Sequence, residues 1–130
     1  MRGEIHNRPR ATQVIDYSGL RYGQITPTDI DGLLEFGNNL FIFIEIKHRE
    51  APMPHGQELA LTRVVDNMKD VPAYLILARH KEDDAARDIN AADGCDVSAV
   101  YYKGTWKKYK EEARIPLGEA IELLRKLWLA

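Results

Sequence analysis

The chain has 130 residues, with 18 Lys and Arg set against 20 Asp and Glu for a formal net charge of −2. That length fits one domain around a single core, and 45% hydrophobic with 29% charged residues excludes an intrinsically disordered chain. The charge balance excludes a global positive field, so any polyanion partner must be met by a local basic patch.

In chain order, the polar start "MRGEIHNRPR" has no apolar stretch behind it, and no secretory signal is expected. No apolar run approaches the roughly 18 residues of a membrane span. "RPRATQVIDYSGL" allows a short helix after Pro9, stopped by Gly19 and Gly23. Ile30 to Phe36 and Leu40 to Lys47 alternate or run apolar around "GNN", which predicts a β-hairpin. "APMPHG" is a loop. Leu59, Leu61, Val64, Val65 and Met68 then recur at helical spacing, predicting an amphipathic helix over His55 to Lys69.

Val71 to Ala78 is a buried strand introduced by a proline, and Lys81 to Ala92 is a charged surface helix or turn. "DVSAVYYKGTWKKY" predicts two strands around Lys103-Gly104, and "PLGEAIELLRKLWLA" a closing helix with Pro116 at its start. The order β-β-α-β-(α)-β-β-α predicts one domain, residues 1–130, of α/β (α+β) class: a mixed sheet covered by helices. The lone cysteine, Cys95, excludes an intrachain disulfide and points to a reducing interior.

The hairpin carries the chemistry. Asp29, Asp31, Leu33 and Glu35 share one face of its first strand; Phe41, Phe43, Glu45 and Lys47 share one face of its second. With Gly37-Asn38-Asn39 as a three-residue loop, Phe36 opposes Leu40, Asp31 opposes Glu45 and Asp29 opposes Lys47. A loop shorter by one residue would send Asp31 and Glu45 to opposite faces. Asn39, third in the loop, is the residue expected to turn left-handed. Carboxylates so placed repel one another unless a cation lies between them. Oxygen donors select a hard ion such as Mg²⁺, which keeps several waters and suits phosphate substrates. A nearby lysine offsets charge as it develops. The competing reading is an edge hairpin whose Asp, Glu and Lys form solvated cross-strand pairs.

"PTDID" followed by "EIK", with fourteen positions from Asp31 to Glu45, resembles the PD-(D/E)XK nuclease superfamily, which includes restriction endonucleases and Holliday junction resolvases. Many members follow this signature with a glutamine-bearing helix, and "GQELAL" places Gln57 there. The resemblance spans roughly residues 26–78 and implies a restriction-endonuclease-like mixed sheet on an αβββαβ-type core. It implies that Asp31, Glu45, Lys47 and Gln57 are catalytic. Mg²⁺ or Mn²⁺ would be held by Asp31, Glu45 and the Ile46 carbonyl, with Asp29 as an auxiliary ligand. Lys47 would position or activate the attacking water, and Gln57 would orient that water, the lysine or a phosphate.

The first helix of such enzymes often adds an acid; only Glu4 and Asp16 are available here. A metal-dependent DNA endonuclease acting on branched or junction DNA is the implied function. Such resolvases work as homodimers, so a homodimer is expected, without membrane or nucleotide cofactor. The expected setting is the cytoplasm, with a bacterial or phage origin. The alternative is a catalytically silent nucleic-acid-binding or assembly domain on the same fold.

Two further groups bear on DNA binding. His48 and Arg49 follow the lysine and could reach a phosphate. Lys103, Lys107, Lys108, Lys110 and Arg114 interleave with Tyr101, Tyr102, Trp106 and Tyr109, as in a ribbon that grips phosphates, chiefly through Lys107, Lys108 and Lys110, and stacks bases, though for the aromatics packing on the core is the favoured reading. Arg8, Arg10 and Arg21 offer a second set that could contact phosphates. His6, His55 and His80 show no zinc-ligand spacing with one another or with Cys95.

Overall fold

The computed structural model describes residues 13–129. Its elements are β1 (Gly32–Glu35), β2 (Phe41–His48), α1 (His55–Asn67), β3 (Ala73–His80), the short α2 (Ala91–Gly94), β4 (Asp96–Tyr102), β5 (Thr105–Lys108), a 3₁₀ turn (Glu111–Ala113) and α3 (Leu117–Trp128). The five strands form one sheet in the order β1-β2-β3-β4-β5, so each lies beside its neighbour in sequence. Only β2 and β3 run parallel, because α1 carries the chain back across the sheet between them. The other pairs are antiparallel.

Both faces of the central strands are covered, which explains why "FIFI" runs apolar without alternating. Ile42, Ile44, Tyr74, Ile76 and Val97 pack toward Leu117 at the start of α3. Phe43, Leu75 and Tyr101 pack on the other face against Leu61 and Val65 of α1. The helices therefore sit on opposite sides of a mixed sheet. No helix among the described residues is long and apolar enough to cross a membrane.

The hairpin register is as expected: Gly32 opposes Ile44, Leu33 opposes Phe43, and Glu35 opposes Phe41. Its turn differs in one detail. Gly37 (φ 55°) and Asn38 (φ 64°) are the left-handed residues, rather than Asn39. The Asn39 N–H donates to the Phe36 carbonyl at 2.9 Å, a type I′-like turn that a leading glycine permits. Lys103 (φ 47°) and Gly104 (φ 78°) make the corresponding two-residue turn between β4 and β5.

Residues 81–90 form no regular helix. Asp84 Oδ1 accepts from the Ala86 N–H at 3.0 Å, and Asn90 Oδ1 accepts from Ala92 and Asp93 at 3.0 and 3.2 Å. Such local bonds offer the backbone an alternative to helical pairing. Only α2 follows. From Gln13 to Gly23 the chain forms turns and no helix; the start of the helix expected after Pro9 lies outside the described residues. Among the described residues two strands precede α1, not the three of an αβββαβ core, and no helix precedes them.

Candidate active site

The paired hairpin strands stop at Gly32 and Ile44, and the next positions carry the polar group. There the side chains continue the ladder. The Asp31 N–H donates to Glu45 Oε1 at 3.1 Å, and the Ile46 N–H donates to Asp31 Oδ2 at 2.7 Å. Asp31 and Glu45 thus face one another, as their spacing implies. Gln57, in the first turn of α1, closes the cluster. Its Nε2 donates to Glu45 Oε2 at 2.8 Å and to the Asp29 carbonyl at 3.2 Å, while its Oε1 accepts from Lys47 Nζ at 3.1 Å. These partners fix the amide's orientation, since only the nitrogen can donate to a carboxylate and only the oxygen can accept from an ammonium. Lys47 Nζ lies 3.9 Å from Glu45 Oε2.

All four expected catalytic residues therefore meet at one point, on the α1 side of the sheet. Asp29 does not pair with Lys47 in the ladder. It precedes β1, and its contribution to the cluster is its main-chain carbonyl.

Glu45 is 1% exposed. Burial pushes its carboxyl pKa up from the ordinary value of 4.5, and the negative charge of Asp31 pushes the same way against the opposing pull of Lys47. A divalent cation would relieve both the desolvation and the repulsion, so the residues fit such an ion. The Ile46 N–H points at Asp31, and a residue in a strand presents its N–H and C=O to the same edge, so the Ile46 carbonyl faces the same place. Among the described residues no three His, Cys, Asp or Glu side chains gather as a ready-made metal cage. The donors are two carboxylates and a carbonyl, a set that leaves positions for water, as Mg²⁺ requires.

This electrostatics predicts a pH signature. A carboxyl whose folded-state pKa is raised contributes stability at low pH, and loses it as pH rises from its unfolded value through the raised folded one. In EDTA, wild-type Tm should therefore fall across that window relative to Glu45→Gln, and Mn²⁺ should restore more of it the higher the pH. Thermal melts from pH 4 to 8 measure both, and parallel profiles for the two proteins would show that Glu45 is not perturbed.

The expected nucleic-acid contacts are dispersed. His48 Nε2 and Arg49 Nε each lie 2.8 Å from Asp83 Oδ1, and Arg49 Nη2 donates to Asp83 Oδ2 at 2.7 Å. Those bonds hold the Asp83 carboxyl well below its usual range and raise the Arg49 guanidinium. The pair expected to reach a phosphate is thus already engaged by an acid 34 residues on from Arg49. Lys107 and Lys108 point to opposite faces of β5. Lys107 lies over the Tyr109 ring at 5.6 Å and lines an apolar cavity of about 440 Å³ beneath α3, on the far face from the cluster.

Lys108 shares the row Glu45, Leu77, Ala99, Lys108 across four strands, about 14 Å from Glu45 at the usual strand spacing. Lys110 starts the 3₁₀ turn and is exposed. The aromatics serve the core: Tyr102 stacks on Tyr74 at 4.3 Å, and Tyr101 packs on Trp106 and donates its hydroxyl to Asp66. Asp16 accepts from the Ser18 N–H, and Arg21 is exposed; Glu4, His6, Arg8 and Arg10 lie outside the described residues.

One basic residue escaped the sequence reading. Arg79, at the end of β3, pairs in register with Lys47 and has a side chain only 13% exposed. A long cation at the end of an otherwise apolar strand was the available signal. No family model, curated protein or solved structure matches this chain.

Proposed function

We propose that this chain is a metal-dependent nuclease hydrolysing phosphodiester bonds in DNA, with branched or junction DNA as the substrate class its resemblance to the PD-(D/E)XK superfamily implies. The observation that carries the reading is the convergence of Asp31, Glu45, Lys47 and Gln57 in one hydrogen-bonded cluster on the sheet. The mixed sheet with helices on both faces suits a restriction-endonuclease-like arrangement.

Asp31, Glu45 and the Ile46 carbonyl would hold Mg²⁺ or Mn²⁺. Such an ion supplies Lewis-acid activation of water and neutralisation of phosphate charge. Lys47 holds the attacking water through its ammonium and offsets charge on the phosphate oxygens as the bond breaks. Gln57 keeps the ammonium in place from one side and the Glu45 carboxylate from the other. A homodimer would bring two such sites to one junction.

A second reading has its own observation. Both Glu45 oxygens already accept hydrogen bonds within the protein, as a purely structural polar cluster would require. On that reading the chain is a catalytically silent nucleic-acid-binding or assembly domain. A cleavage panel of four-way junction, flap, duplex and single-stranded DNA in Mg²⁺, Mn²⁺ and EDTA separates the two. Metal-dependent nicking of at least one substrate is expected, whereas bound but intact DNA throughout would establish the silent domain.

A further inference from the structure

Beside the cluster, on the same face of the sheet, lies a groove of about 410 Å³ whose lining includes Glu50, Arg79, Ser98, Trp106, Lys108 and Arg114. Two of its guanidinium groups are largely buried, at 13% exposed for Arg79 and 14% for Arg114. Both turn to one carboxylate. Arg114 Nη1 donates to Glu50 Oε1 at 3.0 Å, and Arg79 Nε lies 3.6 Å from Glu50 Oε2. Glu50 itself is 66% exposed, on the loop that leaves β2.

The setting of Arg79 is built rather than incidental. The β3–β4 pairing skips Ser98, since Leu77 opposes Ala99 while Ala78 opposes Val97. Bulges of this kind re-aim a side chain. Here the Ser98 hydroxyl is turned into the groove, accepting from Arg79 Nε at 3.1 Å and donating to the Leu77 carbonyl. The Arg79 Nη1 donates to the Arg49 and Ala51 carbonyls at 2.9 and 2.6 Å, which ties the Glu50 loop to the strand.

We infer that this groove is a second phosphate subsite, for a phosphate of the same nucleic-acid strand that the Asp31–Glu45 cluster acts on, and that Glu50 occupies it in the free protein. The inference rests on the nuclease reading for the identity of its ligand. Arg79 neighbours Lys47 across one strand spacing, about 4.8 Å, so a strand lying over Lys47 runs on toward the guanidinium pair. Lys108 adds a third cation on the far wall. A phosphodiester presents two anionic oxygens to this pair much as the Glu50 carboxylate does. Incoming backbone displaces the exposed Glu50 into solvent, while the buried arginines stay fixed.

The test is binding of fluorescein-labelled junction and duplex DNA in Ca²⁺, where cleavage does not deplete the complex. Arg79 also anchors a loop, so the variants are Glu50→Gln, Arg114→Gln, their double, and Glu122→Gln on α3 as a control. Glu50→Gln should bind about tenfold more tightly, the scale of two released, partly exposed charge pairs. Glu122→Gln should gain little, because α3 packs on the opposite face of the sheet from the groove, and solvent and salt damp a charge so placed.

Arg114→Gln should lower the slope of log affinity against log salt by about 0.9, the loss of one phosphate contact. The double variant should not show the Glu50→Gln gain. An equal gain in Glu50→Gln and Glu122→Gln, or a gain that survives in the double, overturns the subsite. DNA bound in the expected pattern but never cut in Mg²⁺ refutes the nuclease reading alone. DNA cut normally with an unchanged Arg114→Gln slope refutes the subsite alone.

Discussion

Replacing Lys47 by alanine is expected to slow DNA cleavage by about 10²–10³-fold at saturating substrate and metal while leaving binding in Ca²⁺ within a few-fold of wild type. The ammonium reaches the cluster rather than a surface groove, held by Gln57 and 3.9 Å from Glu45. On the nuclease reading its contribution is therefore to the reacting centre. A second effect follows from the same position. The Lys47 charge opposes the upward push on the Glu45 carboxyl, so its removal lets that pKa rise further. The acidic limb of the pH–rate profile should move to higher pH, and rates compared at one pH will overstate the loss unless metal is saturating. Stopped assays across pH with calorimetric DNA binding read both effects. Parallel loss of binding and cleavage would instead make Lys47 a phosphate anchor.

Divalent-metal binding should disappear in both Asp31→Ala and Asp31→Asn, and the pair separates charge from architecture. Asparagine can still accept the Ile46 N–H, whereas alanine leaves that donor without Asp31 Oδ2. The alanine variant should lose about 1 kcal/mol of metal-free stability, the usual worth of one such bond, and the asparagine variant little. Both should forfeit the stabilisation that Mn²⁺ is expected to give wild type, about 2.7 kcal/mol at a hundredfold excess over Kd. Titration calorimetry in Mn²⁺ with metal-free melts measures each quantity. Equal Mn²⁺ heats in wild type and Asp31→Asn would remove Asp31 from the metal site.

The hairpin was legible because its register depends on one count, the length of the Gly37–Asn39 loop, and the two strands' polar residues agree with only one value of it. Gln57 was legible through motif spacing joined to a helix start. The left-handed residue was misplaced from Asn39 because a leading glycine admits a second turn type that composition alone does not choose. The Asp83 clamp on His48 and Arg49 was not legible, since it depends on where an irregular loop 34 residues from Arg49 returns. Alternation along β5 already sets Lys107 and Lys108 on opposite faces, but which of them shares the Glu45 face was not legible, since that depends on the register carried across β3 and β4. Arg79 was overlooked because its meaning comes from pairing with Lys47, a parallel neighbour reached only through α1.

The last rung of the hairpin is made of side chains: one carboxylate accepts a hydrogen bond from an amide of the facing chain, and the facing carboxylate accepts one in return. Each carboxylate oxygen has a further lone pair, so this exchange leaves donor capacity for an ion. As ligands of an ion they would be aimed by the act of strand pairing, and the rotamer entropy of arranging them would be lost on folding, not on metal capture. Lengthening Asp31 to glutamate would keep the charge yet push its carboxylate one methylene past the Ile46 amide. Chain economy here makes the acid's size, as much as its charge, a condition of the site.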